Sequence, residues 1–135
     1  MIAWLLLPIA GGLGAYARYR ADLALQKQLK RRGLLPVAPG ASLIKQTTPA
    51  WPIIFINMIG SLAAGLLVGH LAGDAWLVVG TGFLGGWTTF STAMMDTLQI
   101  LTGEKKRGAA GLLAALGGLI ASVAFAYLGL KIAGV

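Results

Sequence analysis

The most informative stretch of the sequence is Gly82-Phe83-Leu84-Gly85-Gly86-Trp87-Thr88-Thr89-Phe90-Ser91-Thr92, which lies within a long apolar segment. A glycine pair followed closely by four hydroxyl side chains makes a poor helix at membrane depth. Inside a bilayer, a broken helix is tolerated only where its backbone lines a cavity or is buried in protein. Broken backbone there offers carbonyl groups to a cation and N–H groups to an anion. The stretch therefore favours an ion site; the alternative is a kink repaired by hydroxyl groups that bond back to carbonyls.

Four apolar segments, this one included, cover residues 2–19, 51–72, 75–101 and 108–133. Each has close to the ~20 residues that cross ~30 Å of hydrocarbon. We therefore predict an all-α membrane protein whose single domain, residues 1–135, has four transmembrane helices. The third of these helices is expected to break at mid-membrane, near residues 85–89.

The composition agrees with this interpretation and excludes several classes of protein. The chain has 135 residues, 57% of them hydrophobic and 11% charged, and its mean hydropathy is +0.79. A soluble domain of this size could not bury so much apolar surface. No cysteine is present, and one histidine and four acids poorly supply an acid–base or metal centre. With no nucleophile–base pair in view, we expect no enzyme.

Basic side chains are concentrated in two of the connections. The long loop at about residues 20–50, whose first part could extend the first helix, and the turn at residues 103–107 together carry nine of them. The opposite side carries one, Lys131. The positive-inside rule then puts both basic connections in the cytoplasm and both termini outside it. The net charge of +7 thus indicates topology and anionic lipid headgroups, not nucleic acid.

Three polar residues in or near the apolar segments are candidates for function. Asn57 lies within the second segment, where an unpaired carboxamide costs several kcal/mol, about 2–7 by transfer data. It is therefore expected either in an interhelical hydrogen bond or along a water-filled pathway. Arg18 ends the first segment and Asp96 lies towards the end of the third. Charges at such depths are functional candidates, although both could instead snorkel or pair.

Three patches, residues 11–19, 57–61 and 82–92, together resemble the small bacterial fluoride channels of the Fluc (CrcB) family. They occur in the family's order on three of the four segments, and the third patch is the most specific. The resemblance implies an antiparallel dimer in the bacterial plasma (inner) membrane, with ion pathways at the dimer interface. It implies passive efflux of cytoplasmic fluoride, which lowers fluoride toxicity.

The resemblance also assigns individual residues. Gly85 and Thr88 would offer backbone carbonyls, one set from each subunit, to a central structural Na⁺. Asn57 would match the pathway asparagine and Phe90 the first of two phenylalanines that line the route. Arg18 and Ser122 match an arginine and a serine of the family. Fluoride is strongly hydrated, so its shell must be replaced by donors, and the hydroxyls of Ser91 and Thr92 could contribute.

The sequence departs from the family pattern in two places. Ala93-Met94 stand where phenylalanine and serine are usual, and Ala114 and Gly118 stand where a tyrosine and a serine are expected. In addition, the nine-to-one charge bias opposes insertion in both orientations. We therefore hypothesise a partner of opposite orientation, a paralogue of this chain, with a homodimer as the alternative.

Two other functions are open to test. A non-conducting or partly degraded subunit of a heterodimeric fluoride channel would tolerate alanine at Asn57 or Phe90. A small four-helix multidrug carrier is less favoured, because it needs a membrane-embedded carboxylate and the first segment has no acid.

Overall fold

The computed structural model describes residues 1–33, 51–102 and 108–135, with their side chains except those at 96, 97, 99–102, 108–111 and 114. These residues are helical and contain no strand, which confirms the all-α prediction for this part of the chain. The helices are α1 (Ile2–Arg31), α2 (Trp51–Val68), α3 (Gly73–Trp76), a π-helix (Leu77–Leu84), α4 (Gly85–Trp87), α5 (Phe90–Thr102) and α6 (Gly108–Ala133). Residues 73–102, from α3 to α5, are called the third segment below.

Helix α1 is longer than a membrane span requires. Its 30 residues rise to about 45 Å, against ~30 Å of hydrocarbon. The helix thus continues through the start of the basic loop, beyond the segment 2–19 that hydropathy predicts. It ends where Gly33, at φ 68°, donates its N–H to the Lys30 carbonyl, a left-handed glycine typical of helix C-termini.

Helix α2 ends at Val68, four residues before the end of the predicted segment. The amides of His70 and Leu71 both bond to the Leu67 carbonyl, which tightens the last turn. Gly73 then takes φ 54°, a conformation that suits glycine, and the chain enters the third segment.

The third segment changes its hydrogen-bonding pattern twice. Its π-helix is eight residues long, whereas π-helices are mostly single turns and frequent at functional sites. The helical path ends at Trp87, and Thr88 is extended, with φ −78° and ψ 153°. A new helix, α5, begins at Phe90.

Glycines bring pairs of helices into backbone contact. An added Cβ at Gly14 of α1 would collide with the Phe83 carbonyl, and one at Gly86 would collide with the carbonyl of Gly11. On the other side, Gly65 of α2 lies against the carbonyl of Ala126 in α6. Small residues that let backbones approach in this way are typical of helix packing in lipid. The third segment therefore packs on α1 in its first half, and its second half, α5, packs on α6.

The outer faces of the described helices are apolar. Few hydrophobic residues of the described part are buried, and all of them are aliphatic: Ala3, Ala10, Ile53, Ile56 and Leu84. Large side chains such as Leu13, Phe55, Leu113 and Ile120 are exposed instead. Two helical stretches, Trp51–Val68 and Ala115–Ala133, are long and apolar enough to cross a membrane.

Candidate ion site at the interruption of the third segment

A groove of about 250 Å³ lies where α2, α5 and α6 meet the interruption of the third segment. Its walls combine a few polar groups with aliphatic and aromatic side chains, a composition typical of ligand sites. The residues that line it are Ile54, Asn57, Ser61, Thr88, Thr89, Phe90, Ala93, Met94, Ala115, Gly118, Leu119 and Ser122.

Asn57 pairs with the extended backbone of the interruption. Its Nδ2 donates to the Thr89 carbonyl at 2.9 Å, and its Oδ1 accepts from the Thr89 N–H at 2.9 Å. The helix α2 thus supplies the polar partners that Thr89 would otherwise find in its own helix. Of the two alternatives drawn from the sequence, a hydrogen bond to another segment is present, although its partner Thr89 lies between two helices and not within one, and the same side chain also lines the groove.

Trp87 makes a second connection to α2. Its indole N–H donates to the Ile56 carbonyl at 3.0 Å, and its ring stacks on Phe83 with centroids 6.4 Å apart. One turn along α2, a Cβ at Gly60 would lie 2.7 Å from the Trp87 ring and 2.6 Å from the Thr88 methyl. The absence of a side chain at Gly60 therefore lets the indole and Thr88 lie directly on α2.

The hydroxyl groups around the interruption form a local cluster. Thr89 Oγ1 accepts from the Thr92 N–H at 3.3 Å and donates to Thr92 Oγ1 at 3.2 Å. Ser91 Oγ lies 3.3 Å from the same oxygen. Thr88 differs, because both its N–H and its hydroxyl donate to the Leu84 carbonyl at 2.9 Å. The bond from the Thr88 hydroxyl is the back-bonding that the kink alternative predicts, and it occurs beside an extended backbone.

The same bonds redirect two amides that a continuous helix would use otherwise. In an α-helix, the N–H of residue i donates to the carbonyl of residue i−4. Thr89 N–H would then serve Gly85, and Thr92 N–H would serve Thr88. In this structure they donate to Asn57 and to the Thr89 hydroxyl. The carbonyls of Gly85 and Thr88 are therefore without their usual helical donors, and Gly85 is exposed, with open space where a Cβ would stand.

These two carbonyls suit a hard, monovalent cation such as Na⁺, which prefers oxygen ligands. No group of three or more His, Cys, Asp or Glu side chains that could hold a metal occurs among the described residues.

The other predicted site residues differ in their positions. Asn57, Thr88, Phe90 and Ser122 line the groove, and the Ser91 and Thr92 hydroxyls lie beside it, bonded to Thr89. Arg18 is not among the groove residues; its Nε is buried and has no hydrogen-bond partner among the described residues. The Asp96 side chain lies outside the described residues.

Two residues that contribute to the site were not identified from the sequence. Thr89 provides both the backbone that Asn57 binds and the hydroxyl at the centre of the cluster, and Trp87 bonds to α2. The sequence does draw attention to Thr89, because the threonine pair Thr88-Thr89 closely follows the glycine pair Gly85-Gly86. Spacing alone does not show which of the two threonines turns towards α2.

Three of the four positions where the sequence departs from the family pattern line the groove, and the side chain of the fourth, Ala114, lies outside the described residues. Ala93 and Met94 line it from α5, and Gly118 lines it from α6. A Cβ at Gly118 would lie 3.0 Å from the Ile54 side chain, so this wall has little room for a larger residue without movement. The polar group supplied by α6 is the hydroxyl of Ser122.

Comparison with known proteins identifies one matching family and several relatives. Residues 5–130 match a family described as CrcB-like protein, Camphor Resistance (CrcB). A Thermus thermophilus protein named fluoride-specific ion channel FluC is 34% identical over 139 residues, covering 99% of this chain and 97% of the relative. A Cutibacterium acnes protein named fluoride-specific ion channel FluC 2 is 37% identical over 130 residues, covering 92% and 91%. A Bacillus thuringiensis protein of the same name is 31% identical over 136 residues and matches along the full length of both chains.

Proposed function

Because this chain belongs to the CrcB-like family, we propose that it is a subunit of a fluoride-selective channel through which cytoplasmic fluoride leaves the cell passively. Relatives of similar length carry the name fluoride-specific ion channel. Membership of this family implies a membrane protein, and two of the described helices are long and apolar enough to span a bilayer. We place it in the bacterial plasma membrane.

The observation that carries the proposal is the meeting of Asn57, Phe90 and Ser122 at one groove beside the helix interruption. A fluoride ion that enters a narrow path must exchange water for other donors. Asn57 Nδ2 has a second hydrogen beyond the one given to Thr89, and Ser122 carries a hydroxyl. The edge of the exposed Phe90 ring is electropositive and solvates an anion weakly.

The interruption itself lies near mid-membrane in this proposal. The carbonyls of Gly85 and Thr88 would hold a structural Na⁺, one pair from each subunit. When bound, the cation supplies a positive potential that favours an anion nearby.

The unit of function is an antiparallel dimer. The groove is bounded by three helices of one chain and is far larger than a bare fluoride ion, so a second chain would narrow it. Nine basic residues on one side against one on the other favour a single orientation of this chain, with both termini outside the cytoplasm. The partner is then a paralogue of opposite orientation, and relatives named FluC 1 and FluC 2 are consistent with paired genes. A homodimer is the alternative.

Fluoride efflux from liposomes tests this function. The purified chain is reconstituted alone and together with a paralogue, and efflux is followed with a fluoride electrode, with chloride-loaded vesicles as the control. Fast fluoride-selective efflux in either preparation supports the channel, and no efflux from folded protein in both would refute it. Blue-native gels then separate the two assemblies, because a stable, active dimer of this chain alone rules out an obligate partner.

A second candidate is a partner subunit with a degraded pathway. The observation that favours it is the occupation of the groove by Ala93, Met94 and Gly118, where the family pattern has larger or polar residues. In such a subunit, alanine at Asn57 or Phe90 would leave the efflux of the assembled channel unchanged.

A further inference from the structure

At the interruption of the third segment, the carbonyls of Gly85 and Thr88 lack their usual helical donors. The reason is that the two amides concerned bond to side chains instead. Each backbone N–H has one hydrogen to donate. The Thr89 N–H is occupied by Asn57 Oδ1 at 2.9 Å, and the Thr92 N–H by Thr89 Oγ1 at 3.3 Å. Neither amide is then available to the carbonyl four residues earlier, at Gly85 or Thr88.

The neighbouring carbonyl shows the opposite pattern. Leu84 accepts two hydrogen bonds from Thr88, one from the backbone N–H and one from the hydroxyl, each at 2.9 Å. Both lone pairs of the Leu84 oxygen are thus used. Thr88 therefore saturates the Leu84 carbonyl, whereas Asn57 and the Thr89 hydroxyl hold the amides that a continuous helix would give to Gly85 and Thr88.

We infer that Asn57 and Thr89 are positioning residues that make the Gly85 and Thr88 carbonyls available to a monovalent cation. This inference rests on the proposed function, and it gives Asn57 a second task beside the pathway. Asn57 holds the amide that would close on Gly85, and the Thr89 hydroxyl holds the amide that would close on Thr88. The cation then competes with neither of these two amides for the oxygens.

The inference predicts a specific effect of removing the Thr89 hydroxyl. In Thr89→Val, which keeps the shape of the side chain, the Thr92 N–H regains the freedom to bond to the Thr88 carbonyl. The cation must then displace a hydrogen bond of ordinary strength, which weakens its binding about fivefold. Thr89→Ser retains the hydroxyl and should behave as the unmodified chain.

The measurement is the melting temperature of the purified channel, with its partner if one is required, as NaCl replaces choline chloride at constant ionic strength. A cation that binds only the folded state raises the melting temperature with its concentration. We expect the unmodified chain and Thr89→Ser to respond alike, and Thr89→Val to need about five times more Na⁺ for the same rise. Thr81→Val is the matched control, because it removes an exposed hydroxyl of the same segment outside the groove.

A second measurement addresses the amide directly. Hydrogen exchange at the Thr92 N–H in Thr89→Val should become sensitive to Na⁺, because the cation and this amide then compete for one oxygen. Asn57→Ala tests whether Asn57 keeps the Gly85 carbonyl available, and Na⁺ is expected to stabilise this variant less. If Thr89→Val does not fold, Thr89→Ala replaces it.

Three results would overturn the inference: equal Na⁺ titrations for Thr89→Val and the unmodified chain, an equal shift for Thr81→Val, or no response to Na⁺ in the unmodified chain. Fluoride efflux is measured on the same preparations. Efflux without any Na⁺ response refutes the role of Asn57 and Thr89 while the channel function stands, and absence of efflux refutes the channel itself.

Discussion

The side-chain amide of Asn57 and the backbone of Thr89, two residues that lie 32 positions apart in the chain, form two hydrogen bonds, each 2.9 Å long. One bond uses the donor of the side chain and the other its acceptor. Residues of the same size but different chemistry can reproduce at most one of them, which makes the pair a sensitive point for mutation.

Asn57→Leu should destabilise the fold. The change keeps the volume of the side chain but removes both hydrogen bonds that Asn57 makes to the Thr89 backbone, each worth about 0.5–1.5 kcal/mol. Denaturant unfolding in detergent measures the loss. Ser61→Ala removes another polar group of the same groove and serves as control; equal effects of the two changes would contradict the importance of the paired bonds.

Trp87→Phe should cost about 1 kcal/mol, because it removes the N–H that bonds to Ile56 and retains a ring that can stack on Phe83. The comparison is Trp51→Phe, at a tryptophan that is 68% exposed. If both changes lower the unfolding free energy equally, the indole bond adds nothing to the docking of the third segment on α2.

Gly14→Ala should be far more damaging than Gly12→Ala, although the two positions are two residues apart on α1. A Cβ at Gly14 meets the Phe83 carbonyl, which is backbone and cannot rotate away, whereas at Gly12 nothing lies within 4 Å. Overpacking of this kind costs about 1–3 kcal/mol or more. Thermal unfolding of the two variants gives the difference directly, and similar melting temperatures would show that α1 and the third segment are not in backbone contact.

Phe90→Ala should slow fluoride efflux with little effect on folding, since the ring is 71% exposed. An aromatic contact worth about 0.5–1.5 kcal/mol corresponds to up to about tenfold in rate. Efflux from liposomes is compared with that of Met95→Ala, at an exposed residue of the same helix. Unchanged efflux in Phe90→Ala would instead favour the partner subunit with a degraded pathway.

The orientation can be tested with single cysteines, because the chain has none of its own. Lys27→Cys should react with a membrane-impermeant reagent only from the cytoplasmic side, and Val135→Cys only from outside, since the charge bias favours one orientation. Labelling of each cysteine from both sides would show dual insertion and would favour the homodimer.

Much of this arrangement could be predicted from the sequence, for reasons that concern single residues. A carboxamide such as Asn57 is costly to leave unpaired among apolar residues, so a hydrogen bond to another segment of the chain could be predicted from this cost. The glycine pair and the hydroxyl residues within 85–92 predict the interruption of the third segment, because these residue types disfavour a continuous helix. The extended Thr88 lies within the range 85–89 where the break was predicted.

Other features depend on tertiary contacts and left no local signal. The π-helix before the interruption packs on α1, and the helix propensities of its residues do not predict its hydrogen-bonding pattern. The partner of Asn57 could be identified only in three dimensions, because Thr88 and Thr89 have identical side chains that turn to different partners. Similarly, Gly12 and Gly14 look alike in sequence, and only the position of Phe83 distinguishes them.

The bond pair between Asn57 and Thr89 has a consequence for how the protein is assembled. It resembles one rung of an antiparallel β-ladder, in which two residues exchange both of their hydrogen bonds, except that the side-chain amide of Asn57 takes the place of the backbone N–H and C=O of one residue. Two polar groups that would be expensive in lipid are thereby satisfied within a single chain. A newly inserted chain can therefore persist in the bilayer by itself, and in the proposed dimer assembly would follow membrane insertion.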